Sequence, residues 1–263
     1  YGTAASFYVA GSGFLIMAAV TCSLRLPSVT KVPRRGTVHD LLEGLHFIRQ
    51  NTSFSFSIAL TFFSSFFGMA YIPLMPIVAV DILQVGAKGQ GMLLGVGGVG
   101  SLITSVWLAT RKDAGSKGLL ILGGSFMAGL SVATFALISW LIGSFAMALA
   151  LMFIIGVFTS MSNTSLQSSM QLAVPDALRG RVMGFYGMTY NIRPLGGMQA
   201  GALASLITTP LAIAVGGLAV AFFVIGAAFT NRKILHLDAR IPGARTDEAN
   251  GESQTSSFSA TDR

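Results

Sequence analysis

Charge is what this sequence has least of. Asp, Glu, Lys and Arg make up 10% of its 263 residues, against 52% hydrophobic residues and a mean hydropathy of +0.70. Soluble domains carry about 25% charged residues, so a water-soluble fold of this length could not cover its surface. Acidic residues are scarcest, 10 against 17 Lys and Arg, for a net charge of +7. That excess does not form a nucleic-acid-binding face, because the basic residues sit between apolar runs. One cysteine, Cys22, excludes an internal disulfide and reads as a small apolar residue in an apolar stretch. His39, His46 and His236 are far apart and outside those runs, so no histidine metal site is expected. No nucleophile motif, phosphate loop or pair of carboxylates within a run is present, so neither enzyme chemistry nor a cofactor is expected. The chain opens on Tyr1 with no basic region before its first run, which argues against a signal peptide and reads as a piece whose N-terminal part is missing.

What is there is a series of long apolar runs. A helix needs about 20 apolar residues to cross the hydrocarbon core of a bilayer. Seven runs meet or approach that length, at residues 4–24, 54–80, 89–110, 118–138, 143–164, 183–207 and 211–230. The expected fold is therefore an all-α membrane protein of about seven spans, with the lipid bilayer as its first partner. Pro210 marks the turn between the last two spans. Threading the seven spans puts 15 of the 17 Lys and Arg on one side, with Lys88 alone on the other and Arg193 inside a span. By the positive-inside rule the basic side, with the C-terminus, is cytoplasmic in a plasma membrane, or an inner membrane if the source is bacterial.

The linker from 27 to 52 begins basic and extended. It then reads DLLEGLHFIRQ, with Leu41, Leu42, Leu45 and Ile48 at helical spacing and Asp40 placed to cap. This predicts a short amphipathic helix at the membrane surface. The polar tail beyond Arg240 reads as disordered.

Within the spans a few polar residues stand out. Arg193 falls midway along the sixth, where a charge costs several kcal/mol and must face protein or water. Tyr186, Tyr190 and Arg193 recur at i, i+4 and i+7 and share a helix face. One reading is an anion, substrate or coupling site in a central cavity. The other is a structural arginine bonded to carbonyls of a broken helix. Pro194 follows directly and predicts a kink there. The fifth span ends in TSMSNTSLQSSMQ, where Asn163 and Gln167 lie one turn apart, either holding a neighbouring helix or lining a cavity. Tyr71, Pro73 and Pro76 lie in the outer half of the second span and suit either a gate or a packing kink, and Asp81 closes that span. The third span's GVGGVG lacks a preceding strand, so its glycines read as sites of close helix approach rather than nucleotide binding.

Two segments are more specific. Residues 166–197, LQSSMQLAVPDALRGRVMGFYGMTYNIRPLGG, resemble the loop between the tenth and eleventh helices of major facilitator superfamily exporters, in the branch of enterobactin exporters and related drug and secretion permeases. Residues 73–102, PLMPIVAVDILQVGAKGQGMLLGVGGVGSL, resemble that branch's seventh-to-eighth helix junction, and EGLHFIRQN fits its linker. The resemblance implies residues 1–26 as the last helix of an N-terminal half, 27–52 as the linker between halves, 53–232 as the C-terminal six-helix bundle and 233–263 as a tail. The partner implied is the missing N-terminal half.

In that setting Asp176 would cap a helix, while Arg179 and Arg181 would bond carbonyls or an acidic partner at helix ends and latch one conformation. Topogenic charge alone is the other reading. The superfamily's signature loop is degenerate here, with Thr110 in place of its Asp. The function implied is secondary active export of small molecules (drugs, siderophores or secondary metabolites) by alternating access, driven by an ion or proton gradient. The candidates for the substrate cavity or coupling are Arg193, Tyr190, Tyr186, Asn163, Gln167 and Tyr71. The alternatives are a seven-helix receptor, disfavoured by the absence of a lysine from residues 211–230 and of a cysteine pair, and a scaffold without transport.

Overall fold

The computed structural model describes residues 3–24, 37–110 and 117–230. The basic start of the linker, most of the degenerate loop after Thr110 and the polar tail lie outside the described residues. The chain divides into two units, Tyr1–Arg35 and Gly36–Arg263. The first contains helix α1 (Thr3–Ser23). Its apolar part is Gly11–Ser23, and Cys22 is exposed and free on it.

The second unit is helical throughout its described residues. It contains α2 (Thr37–Gln50), α3 (Thr52–Phe63), α4 (Tyr71–Ile77), α5 (Gly86–Thr110), α6 (Lys117–Leu141), α7 (Phe145–Ala173), α8 (Asp176–Tyr190), α9 (Arg193–Leu206) and α10 (Thr209–Thr230). One π-helical turn, Ser64–Gly68, links α3 to α4 and a second, Val78–Ile82, extends α4, giving one element of 31 residues. Among the described residues five elements are long and apolar enough to cross a membrane: Thr52–Ile82, α5, α6, α7 and Thr209–Phe229. Large apolar side chains such as Leu102, Val106 and Phe222 point outward, as in a bundle solvated by lipid.

Three expectations are corrected. The sixth span is not one helix but the pair α8 and α9, broken at Asn191 and Ile192. The prolyl ring of Pro194 would collide with the Tyr190 carbonyl four residues back, so the helix stops before it and restarts with Pro194 in the first turn of α9. The fifth span runs on to Ala173, nine residues past its expected end, and the added turns bury Leu166 and Met170 in the core. α2 begins at Thr37, which puts Asp40 within the helix rather than at the position before its first residue. The break between α6 and α7 falls at 142–144, where Gly143 takes a φ of +64°.

Glycine sets the closest helix contacts. A Cβ on Gly156 would strike the backbone carbonyl of Gly97, which locks α5 against α7. A Cβ on Gly129 would come within 2.6 Å of the Gly217 carbonyl, which does the same for α6 and α10. Two buried clusters complete the core. One gathers Phe54, Leu60, Ile121, Leu166, Met170 and Val182, from α3, the start of α6, the end of α7 and α8. The other gathers Met75, Leu93, Phe135, Ala148, Met152 and Ile213 toward the opposite ends of the same helices. This alternation is that of antiparallel neighbours, and it leaves the middle of the bundle to the polar residues.

Candidate functional site

The break after α8 puts Arg193 at the first position of α9. Asn191 closes the last turn of α8 by donating from its backbone N–H and from Nδ2 to the Gly187 carbonyl, at 3.0 and 2.8 Å. The chain then turns into α9, which packs tightly because a Cβ on Gly196 would strike the Phe66 carbonyl of the π-turn. Arg193 lies back over Tyr190, its guanidinium carbon 3.8 Å from the ring centroid. Tyr190 in turn stacks on Tyr186, with centroids 6.1 Å apart and planes inclined by 20°. The i, i+4, i+7 face therefore survives the helix break as a stack of two rings and a guanidinium.

The Nε of Arg193 is buried and has no hydrogen-bond acceptor. Leaving such a donor unsatisfied costs about 1–3 kcal/mol, more for a charged group. A helix start is also a poor place for a cation, because the macrodipole is positive there. The structural reading of Arg193, a guanidinium satisfied by carbonyls of a broken helix, is not what is seen at Nε.

Arg193, Tyr190, Tyr186, Asn163, Gln167 and Tyr71 all line one cavity of about 730 Å³ between α4, α5, α7, α8 and α9. Such a volume holds a drug-sized molecule. Thioethers of Met69, Met152 and Met183 supply much of its apolar wall. Among the described lining residues Arg193 carries the only formal charge and there is no carboxylate.

The polar strip of α7 divides its work. Two of its serines hold neighbours: Ser162 pairs with Ser125 of α6 at 2.5 Å, and Ser160 pairs with Ser105 of α5 at 2.9 Å. Its amides, Asn163 and Gln167, line the cavity, as does Ser160. Asn163 and Tyr190 also border a pocket of about 40 Å³ toward α6, lined by Ser64, Ser65, Ser125 and Ser162, with room for water. Met183 and Ser101, not among the sequence candidates, and Thr159, which opens the polar strip, also belong to the cavity wall. Their spacing relative to Tyr186, Asn163 and Gly97 would have placed them on the same helix faces. Asp81, read as closing the second span, is exposed and not part of the wall.

At the other end of α8, Arg181 donates from Nη1 to Glu43 of α2. Gly44 permits the approach, since a Cβ there would lie 3.2 Å from that of Arg181 and 3.3 Å from the Phe185 ring. The side chain of Asp176 lies outside those described, and Arg179 is exposed.

A family model described as transmembrane secretion effector, from the major facilitator superfamily, matches residues 1–254. The chain belongs to the transmembrane secretion effector family. No curated protein and no solved structure matches it. The secretion effector chain is thus a multi-pass membrane protein of a transporter superfamily, built from apolar helices.

Proposed function

We propose that this chain is the C-terminal bundle and linker of a secondary active exporter, and that the 730 Å³ cavity is its half of the substrate path. The observation that carries the reading is that cavity. A largely apolar helical bundle brings a cation, three tyrosines and two amides to one hollow in its middle, where polar groups are costly unless they serve a passage. The family match supports transport and secretion.

In this reading a second bundle faces the cavity and the two rock about it, exposing it to each side of the membrane in turn. The basic loops and C-terminus are cytoplasmic, in a plasma membrane or a bacterial inner membrane. Substrates are small molecules of the drug, siderophore or secondary-metabolite kind. A proton or ion gradient drives export, and the cavity wall offers no carboxylate among its described residues to carry the proton. The Glu43–Arg181 contact between α2 and α8, with Arg179 and Asp176 nearby in sequence, acts as a conformational latch.

The test is accumulation of a panel of drugs and siderophores in an efflux-deficient host expressing the full-length protein, with and without a protonophore. Lowered accumulation that the protonophore abolishes is the expected result. Unchanged accumulation across the panel, with the protein in the membrane, counts against export.

A further inference from the structure

The cavity contains one formal charge among its described lining residues, and that charge is incompletely satisfied. Arg193 has one face on the Tyr190 ring, so its hydrogen-bonding edge rather than its face is left for a ligand. Nε on that edge is buried and lacks an acceptor. Burial closes Nε off from the cavity, whereas the terminal Nη1–H and Nη2–H are not among the buried atoms; they form a parallel pair, a fork that matches the two oxygens of a carboxylate. The amino terminus of α9 adds positive potential at the same point, as the starts of broken membrane helices do toward anionic substrates. Asn163 and Gln167 on the facing wall are neutral and can donate as well as accept. Around these, Tyr186 and the methionines offer flat and adaptable apolar surface.

We infer that the cavity selects small organic carboxylates: one anionic head held by Arg193, with an apolar, preferably aromatic, body lying along Tyr186 and the thioethers. This rests on the cavity being the transport site and adds the class of substrate. A cationic drug would meet an uncompensated guanidinium and be excluded by like-charge repulsion. A neutral compound would leave the guanidinium charge uncompensated and gain only the apolar contacts.

The test is equilibrium binding to the full-length protein in lipid nanodiscs, with empty nanodiscs as the blank for partitioning. The probes are 2-naphthoate, its neutral match 2-naphthamide and the cationic 2-naphthylmethylammonium. Naphthoate is expected to bind about tenfold or more tighter than naphthamide, with the ammonium weakest. The preference for naphthoate should vanish in Arg193→Gln. It should persist in reduced form in Arg193→Lys, which keeps the charge but not the fork. Equal binding of naphthoate and naphthamide, a preference that survives Arg193→Gln, or no naphthoate binding at millimolar concentration to protein with an intact melting transition would each overturn the carboxylate class.

Failure of the underlying cavity reading has its own signature. A Cβ at Gly98 or at Gly187 meets nothing within 4 Å on this cavity wall, so tryptophan at both positions, on α5 and α8, should obstruct the hollow. Probe binding that survives the double variant Gly98→Trp, Gly187→Trp lies elsewhere and removes both claims. Binding of naphthamide or the ammonium that the double variant abolishes would keep the cavity as a site and remove only the carboxylate class.

Discussion

Arg181 of α8 donates to Glu43 of α2, so the amphipathic helix of the linker is fastened to the base of the same helix that carries Tyr186 and Tyr190 at its other end. The contact is partly open to solvent, with side-chain exposures of 19% for Arg181 and 45% for Glu43. Exposed ion pairs contribute about 0–1 kcal/mol. Its importance would therefore lie in which conformation it favours rather than in overall stability. Arg181→Ala or Glu43→Gln should lower the stability of the bundle by less than about 1 kcal/mol. In spin-label distance measurements between α2 and α8, either substitution should broaden the distribution, and the double charge reversal should restore it. A distribution unchanged in the single variants would remove the latch.

Glycine contacts make a sharper stability prediction. Gly156→Ala forces a methyl group into the Gly97 carbonyl, and the rigid backbone cannot yield as a side chain would. Overpacking of this kind costs about 1–3 kcal/mol. Gly95→Ala is the control, because a Cβ there meets nothing within 4 Å. Thermal unfolding in detergent should show a clear loss for Gly156→Ala and none for Gly95→Ala.

The paired hydroxyls between helices should be worth little each. Ser125 and Ser162, 2.5 Å apart, form a buried pair between α6 and α7. A double-mutant cycle with alanine at both positions should give a coupling of about 0.6 kcal/mol, and below about 1.7, as interhelical bonds within membranes do. A coupling of zero would mean that the pair is incidental to helix association.

Tyr190 should act through its ring rather than its hydroxyl. Its ring face supports the guanidinium of Arg193 at 3.8 Å. Tyr190→Phe should therefore leave transport or probe binding nearly intact. Tyr190→Leu should weaken it by about 0.5–2 kcal/mol, the range of a cation–π contact. Equal losses in the two variants would show that the hydroxyl matters more.

Much of this arrangement is legible in the sequence. The positions of the apolar runs follow from composition alone. Tyr186, Tyr190 and Arg193 could be put on one face by counting, and that face is the one the cavity shows. The helix break was less legible. Pro194 announced a disturbance, but its cost falls on the carbonyl four residues earlier, so the chain opens at Asn191 and Ile192 instead. The α7 strip was ambiguous because serine, threonine, asparagine and glutamine serve equally as interhelical ties and as cavity lining. Only three-dimensional placement shows that Ser162 ties helices, that Asn163 and Gln167 line the cavity and that Ser160 does both. The Glu43–Arg181 pair spans 138 residues, and no local pattern could have joined its partners.

The most direct test of the central claim uses the chain's single cysteine. With Cys22→Ser as background, Asn163→Cys places one thiol on the cavity wall. The full-length protein, with any further cysteines replaced, is reconstituted in oriented vesicles and treated with a membrane-impermeant thiol reagent added from one side or the other. Alternating access through this cavity predicts labelling from both sides, with the balance shifting when a gradient is imposed. Labelling from one side only, whatever the gradient, would contradict it.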